Sequence, residues 1–148
     1  MPHFGLMDES AMSREAAALL RARLHLRGGR RRLRQAKYAA AVAALYDALG
    51  SGMRWYLLLT GEESLRPVKA ELDLRPDRDL FSSLVQAGVL DNPPAFEQLE
   101  TLLDQLLIGP SSDFDQQGVL TRIEHWLTQL GVMPFDEGAL PPEDPDTY

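Results

Sequence analysis

The sequence predicts an all-α chain: a five-helix bundle with a long, kinked central helix and an irregular, acidic, proline-rich C-terminal tail. Three observations carry that reading. Apolar residues return at helical spacing in five separate stretches, glycine and proline punctuate the gaps, and no run alternates apolar and polar residues over the length of a strand. The expected boundaries are a helical domain over 1–131 and a tail over 132–148.

The first helix is expected over about Glu9 to Leu26. Met12, Ala16, Leu19, Leu20 and Leu24 fall on one stripe, and Asp8 or Ser10 supplies a cap. Gly28-Gly29 is read as its stop, since glycine takes the left-handed conformation cheaply. The second helix is expected from Arg31, with Leu33, Tyr38, Ala41, Val42, Leu45, Tyr46 and Leu49 on a broad apolar face. Seven alanines between residues 36 and 48 favour helix and allow close neighbours. Gly50-Ser51-Gly52 is expected to kink or break it before a further piece, Met53 to Leu59, closed by Gly61.

Residues 62–76 read either as a short helix with Pro67 in its first turn or as a loop. A third helix is expected over Pro76 to Ala87, with Leu80, Phe81, Leu84 and Val85 inward and Gly88 as its stop. Asn92 caps a fourth, with Pro93 and Pro94 in its first turn and Phe96, Leu99, Leu102, Leu103, Leu106 and Leu107 inward, until Gly109-Pro110 ends it. The fifth starts at Ser112, turns Leu120, Ile123, Leu127 and Leu130 inward, and stops at Gly131. From Val132 onward, four prolines and five acids in seventeen residues predict no packed element, but a tail either disordered or laid flat on the domain.

Composition excludes several chemistries. With no cysteine there is no disulfide, zinc-thiolate site or cysteine nucleophile. His3, His25 and His125 are scattered without a histidine or cysteine partner three or four residues away, so no metal site is expected. His125 beside Glu124 reads as a helix-surface pair. No glycine-rich loop ends in Lys-Ser or Lys-Thr, and Ser51 lacks the setting of a nucleophile elbow. Trp55, Tyr56, Phe81 and Trp126 stand at helical spacing and read as core rather than a ligand pocket. No cofactor is implied. The start of the chain lacks a basic segment followed by an apolar run, and its most apolar stretch, Tyr38 to Tyr46, is too short to span a bilayer, so a cytoplasmic chain without a membrane partner is expected.

Charge is divided. The chain carries a net charge of −7, yet residues 1–37 hold nine basic and three acidic side chains. Arg21, Arg23, Arg27, Arg30, Arg31, Arg32, Arg34 and Lys37 place eight cations in seventeen residues. If Arg30 to Arg32 open a helix, its dipole disfavours them, and neighbouring cations repel. Local folding then gains nothing from the cluster, which awaits an anion. Three sources of negative charge fit: an acidic protein, a nucleic acid, or the chain's own tail through Asp136, Glu137, Glu143, Asp144 and Asp146. Arg23, Arg27, Arg30, Arg31, Arg32, Arg34 and Lys37 are therefore the candidate binding residues, and no catalytic residue is assigned.

The stretch Gly29-Arg-Arg-Arg-Leu-Arg-Gln-Ala-Lys-Tyr38-Ala-Ala-Ala-Val-Ala-Ala-Leu45-Tyr46-Asp-Ala-Leu49, continuing through Met53-Arg54-Trp55-Tyr56-Leu57-Leu58, resembles the core of HEPN-type helical bundles. In that family a glycine and a tyrosine precede alanine-rich turns, a Tyr-x-Ala-Leu segment and a second apolar turn. The resemblance implies a partner of small nucleotidyltransferases, a toxin ribonuclease, or an adaptor in RNA-related complexes. The ribonuclease type carries an arginine, four to six residues, then a histidine on a late helix. Here two residues separate Arg122 from His125, and His25 follows Arg21 and Arg23 by three and one, so no catalytic residue carries over. The expected function is a non-catalytic interaction module engaging an acidic protein partner, or self-associating, through Arg21–Lys37. The alternative is an RNA-binding protein or weak HEPN-type ribonuclease.

Overall fold

A computed structural model describes residues 11–60, 77–109 and 111–143. Five α-helices and no strand occur among them: α1 Arg14–Arg34, α2 Tyr38–Thr60, α3 Asp77–Gln86, α4 Pro93–Ile108 and α5 Gln116–Leu130. A 3-10 turn follows at Glu137–Ala139. The expected Glu9 start, its Asp8 and Ser10 caps, and the segment 62–76 lie outside the described residues. Ser13 caps α1 instead, its Oγ accepting from the Ala16 amide at 3.1 Å.

The stop expected at Gly28-Gly29 is not there. α1 runs through both glycines, which are buried. A Cβ added at Gly29 would fall 2.6 Å from Leu45 Cδ2 and 3.4 Å from the Ala41 carbonyl oxygen. The missing side chain lets α2 lie close against α1; it does not turn the chain. The bend comes at Gln35-Ala36-Lys37, where the Lys37 amide reaches back to the Arg32 carbonyl at 2.9 Å and Ala36 takes φ 59°. That is a Schellman-type close with alanine in the seat glycine usually fills.

The break expected at Gly50-Ser51-Gly52 is also absent. α2 continues through it, and a Cβ on Gly52 would stand 2.9 Å from Leu127 Cδ2 and 3.2 Å from Val132 Cγ2. Both glycine features mark helix crossings. α2 packs against each of the other four helices, and Val42, Leu45, Leu49, Met53 and Leu57 on it are buried.

An aromatic cluster ties α3, α4 and α5 together. Phe81 stacks on Phe96 with centroids 4.3 Å apart, and Trp126 meets Phe81 edge-on at 5.0 Å. The Trp126 indole N–H donates to the Asp91 carbonyl at 2.9 Å, which satisfies its one polar atom inside the core.

Residues 132–143 form no α-helix and lie flat against α1, one of the two arrangements expected of the tail; of them Val132 is buried and the rest are half-buried or exposed. Gly131, at φ 89°, closes α5, and the next residue, Val132, is fully buried. Burying a valine is worth about 1.5–3 kcal/mol, which anchors the start of this segment. It lies along α1.

Candidate functional site

Arg23, Arg27, Arg30 and Arg31 recur at the spacing of one helical stripe on α1. Residues 132–143 lie over it as a strap. Arg23 donates from Nε and Nη2 to the Val132 carbonyl at 3.2 and 3.1 Å, and its guanidinium stands 5.1 Å from the centre of the Phe135 ring. Burial lowers the pKa of Arg23 from its ordinary value, although an arginine stays charged at neutral pH.

Three carboxylates meet the rest of the stripe. Arg30 pairs with Glu124 of α5 through Nε and Nη2, and its Nη1 donates to Glu137 of the strap at 3.0 Å. Glu143 serves two arginines: its Oε2 accepts from Arg31 Nε, and its Oε1 is 3.2 Å from Arg27 Nε. The Arg27 contact is an ion pair without an aligned hydrogen bond. Side chains of Arg27, Arg31 and Glu143 are only 15%, 11% and 15% exposed, so these pairs are shielded better than ordinary surface pairs.

The candidate binding residues thus divide. Arg23, Arg27, Arg30 and Arg31 are brought together and occupied by the same chain. Arg32 folds back towards Gly28, and its pKa is lowered by burial first and then by neighbouring Arg31, with Glu143 acting the other way. Arg34 and Lys37 stand exposed at the α1–α2 bend. The premise that folding gains nothing from the cluster is overturned for the strapped arginines. Arg31, Arg32 and Arg34 also lie in the last turn of α1, where the helix dipole favours cations. The first-turn placement expected from the sequence has the opposite sign.

Of the proposed tail acids, Glu137 and Glu143 are counter-ions, whereas Asp136 caps the 3-10 turn by accepting from the Gly138 amide at 2.9 Å. Asp144 and Asp146 lie outside the described residues. Glu124 was not expected in this role; no local pattern signals a partner 94 residues from Arg30.

A second group lies on α5 and the α3–α4 connection. His125 pairs with Asp91 through Nε2 at 3.0 Å and not with its neighbour Glu124, which Arg30 holds. Gln129 Nε2 also donates to Asp91 at 3.1 Å. The hydrogen bond from His125, more than any other influence, holds the Asp91 carboxyl below its ordinary pKa. Asp91, Arg122 and His125 line one open depression together with Asp115 and Thr121. His25, by contrast, is buried on α1.

No group of three or more histidines, aspartates or glutamates that could hold a metal ion occurs among the described residues. No helix among them is long and apolar enough to cross a membrane. Comparison with protein-family models, curated proteins and solved structures finds no match to this chain.

Proposed function

We propose that this chain is a non-catalytic interaction module: a five-helix bundle centred on α2 that takes an acidic protein segment along the Arg23–Arg31 stripe of α1. In the described conformation its own residues 132–143 hold that place. The observation that carries this reading is Glu143 seated between Arg27 and Arg31, as a carboxylate of a partner would be. Past Phe135 the strap meets α1 through ion pairs, of which Arg30–Glu137, the more exposed, is worth at most about 1 kcal/mol. A partner with comparable carboxylates re-forms the same pairs, and further contacts must offset the advantage of the tethered strap. Ile108 is 89% and Leu107 66% exposed at the end of α4, which supports self-association as a second contact.

The test uses a fluorescent peptide with the sequence of residues 136–148. It should bind a chain ending at Phe135, which keeps the buried Val132, and bind the full chain at least tenfold more weakly. Equal binding to both, or binding to neither, removes this reading. Light scattering after size-exclusion chromatography tests self-association.

A second reading, an RNA-related protein or weak ribonuclease of the HEPN type, draws on a different observation. Asp91 orients His125 on the depression that Arg122 also lines, which sets an acid–base group beside a phosphate-binding guanidinium. RNA cleavage that survives alanine at both Arg122 and His125 would remove that role. Failure to bind labelled single- or double-stranded RNA at low salt would remove the reading altogether.

A further inference from the structure

Between α4 and α5 lies a cleft of about 200 Å³, lined by Ala95, Leu99, Leu102, Phe114, Val119 and Ile123. Its polar edge is made by Gln98, Asp115 and Arg122. Arg122 is partly buried there, and its guanidinium has no ion pair or hydrogen bond among the described residues. Two carboxylates are nearby, and both are committed elsewhere. Asp115 caps α5 by accepting from the Gly118 amide at 2.9 Å, and Asp91 is held by His125 and Gln129. A guanidinium carries five donors and keeps its charge, so Arg122, without a partner among the described residues, is open to an anion.

We propose that this cleft is a binding site for a small amphipathic carboxylate, whose apolar body lies on Leu99, Leu102 and Ile123 and whose anionic group meets Arg122. The site has the usual make-up of a ligand pocket, mostly apolar with one well-placed charge. Its volume falls below the roughly 300–1,000 Å³ of drug-sized sites, which selects a medium-chain or single-ring acid. The proposal is independent of the strap on α1 and stands or falls separately from it.

Octanoate, 1-octanol and acetate are the probes, titrated into the full chain with amide chemical shifts as the readout. Octanoate should bind saturably, with the shifts gathered at residues 95–102 and 114–123. Octanol lacks the charge and acetate lacks the body, and each should bind about tenfold or more weakly. Arg122→Gln should cost octanoate about tenfold or more while leaving octanol unchanged. Leu102→Gln should weaken both. Thermal unfolding of each variant establishes that it folds. No saturable octanoate binding to the full chain, shifts confined to α1, or an Arg122→Gln affinity equal to that of the parent would overturn the proposal.

Discussion

The Glu143 carboxylate accepts from Arg31 Nε, so an acid from the far end of the described chain closes a charge cluster on the first helix. Exchange of Glu137 and Glu143 for glutamine removes the two strap carboxylates that meet arginines while leaving its anchor, Val132, in the core. The double variant should lose about 1–3 kcal/mol in urea unfolding, because the two glutamates make three pairs, with Arg27, Arg30 and Arg31, each worth about 1 kcal/mol. Tryptic cleavage after Arg27, Arg30 and Arg31 should nevertheless speed up several-fold. Raising the ionic strength should produce part of the same effect in the parent chain, through screening. Cleavage rates equal to the parent's would mean that the strap does not cover these arginines in solution.

Gly29 tests whether the pair of glycines marks a bend or a helix crossing. At a left-handed bend, alanine would be strained by its backbone angle. Within α1 it gains helix propensity of about 1 kcal/mol, but its Cβ falls 2.6 Å from Leu45 Cδ2. Leu45 is fully buried and has little room to retreat. Gly29→Ala should therefore destabilise the fold by about 1–3 kcal/mol, read as a lower urea midpoint. Pairing it with Leu45→Ala should recover part of the loss, because the second change opens space at that point; a bend residue would show no such coupling.

Ala36 offers the converse test. Its φ of 59° is a left-handed seat, which costs a residue with a Cβ about 1 kcal/mol relative to glycine. Ala36→Gly should raise stability by a few tenths to about 1 kcal/mol, the gain reduced by the added freedom of the unfolded chain. A lower melting temperature would place the bend elsewhere.

The helices are legible because each shows its own apolar period and most are bounded by local chemistry, such as Pro93-Pro94 opening α4 and Gly131 closing α5. The bend between α1 and α2 is not legible in this way. Gly28-Gly29 carries the same local signal whether the chain turns or a neighbour approaches, and only Leu45, a residue of the next helix, decides between them. Ala36 carries no signal at all. Shifting the bend from Gly28-Gly29 to Gln35–Lys37 moved Arg31 and Arg32 from a first turn to a last turn and reversed the dipole argument built on them. The stripe is visible in the sequence as a row of arginines, and Glu137 and Glu143 of the tail are among its candidate counter-ions; Glu124 carries no such signal. Proline and acid content in residues 132–143 leaves a disordered tail and one laid flat on the domain equally open, because the apolar contacts that seat its start come from Val132 and Phe135 alone.

Tyr46 gives the fold an alkaline limit. Its hydroxyl donates to Glu100 Oε2 at 3.2 Å, and Arg78 Nε pairs with the other oxygen of that carboxylate at 2.9 Å. Burial, then the negative charges of Asp77 and Glu100, raise the phenol's pKa well above the ordinary tyrosine range. The fold thus favours the neutral phenol. The unfolded chain ionises near the usual value of about 10, whereas the folded chain holds its proton longer. The contribution is complete below about pH 10 and is lost progressively above it, because only the unfolded state releases the proton there. Urea midpoints measured from about pH 8 to about pH 11 should fall more steeply in the parent than in Tyr46→Phe, which keeps the ring against Phe96 and removes the titrating group. Parallel profiles would show that Tyr46 ionises alike in both states, and that the hydrogen bond to Glu100 does not hold its proton.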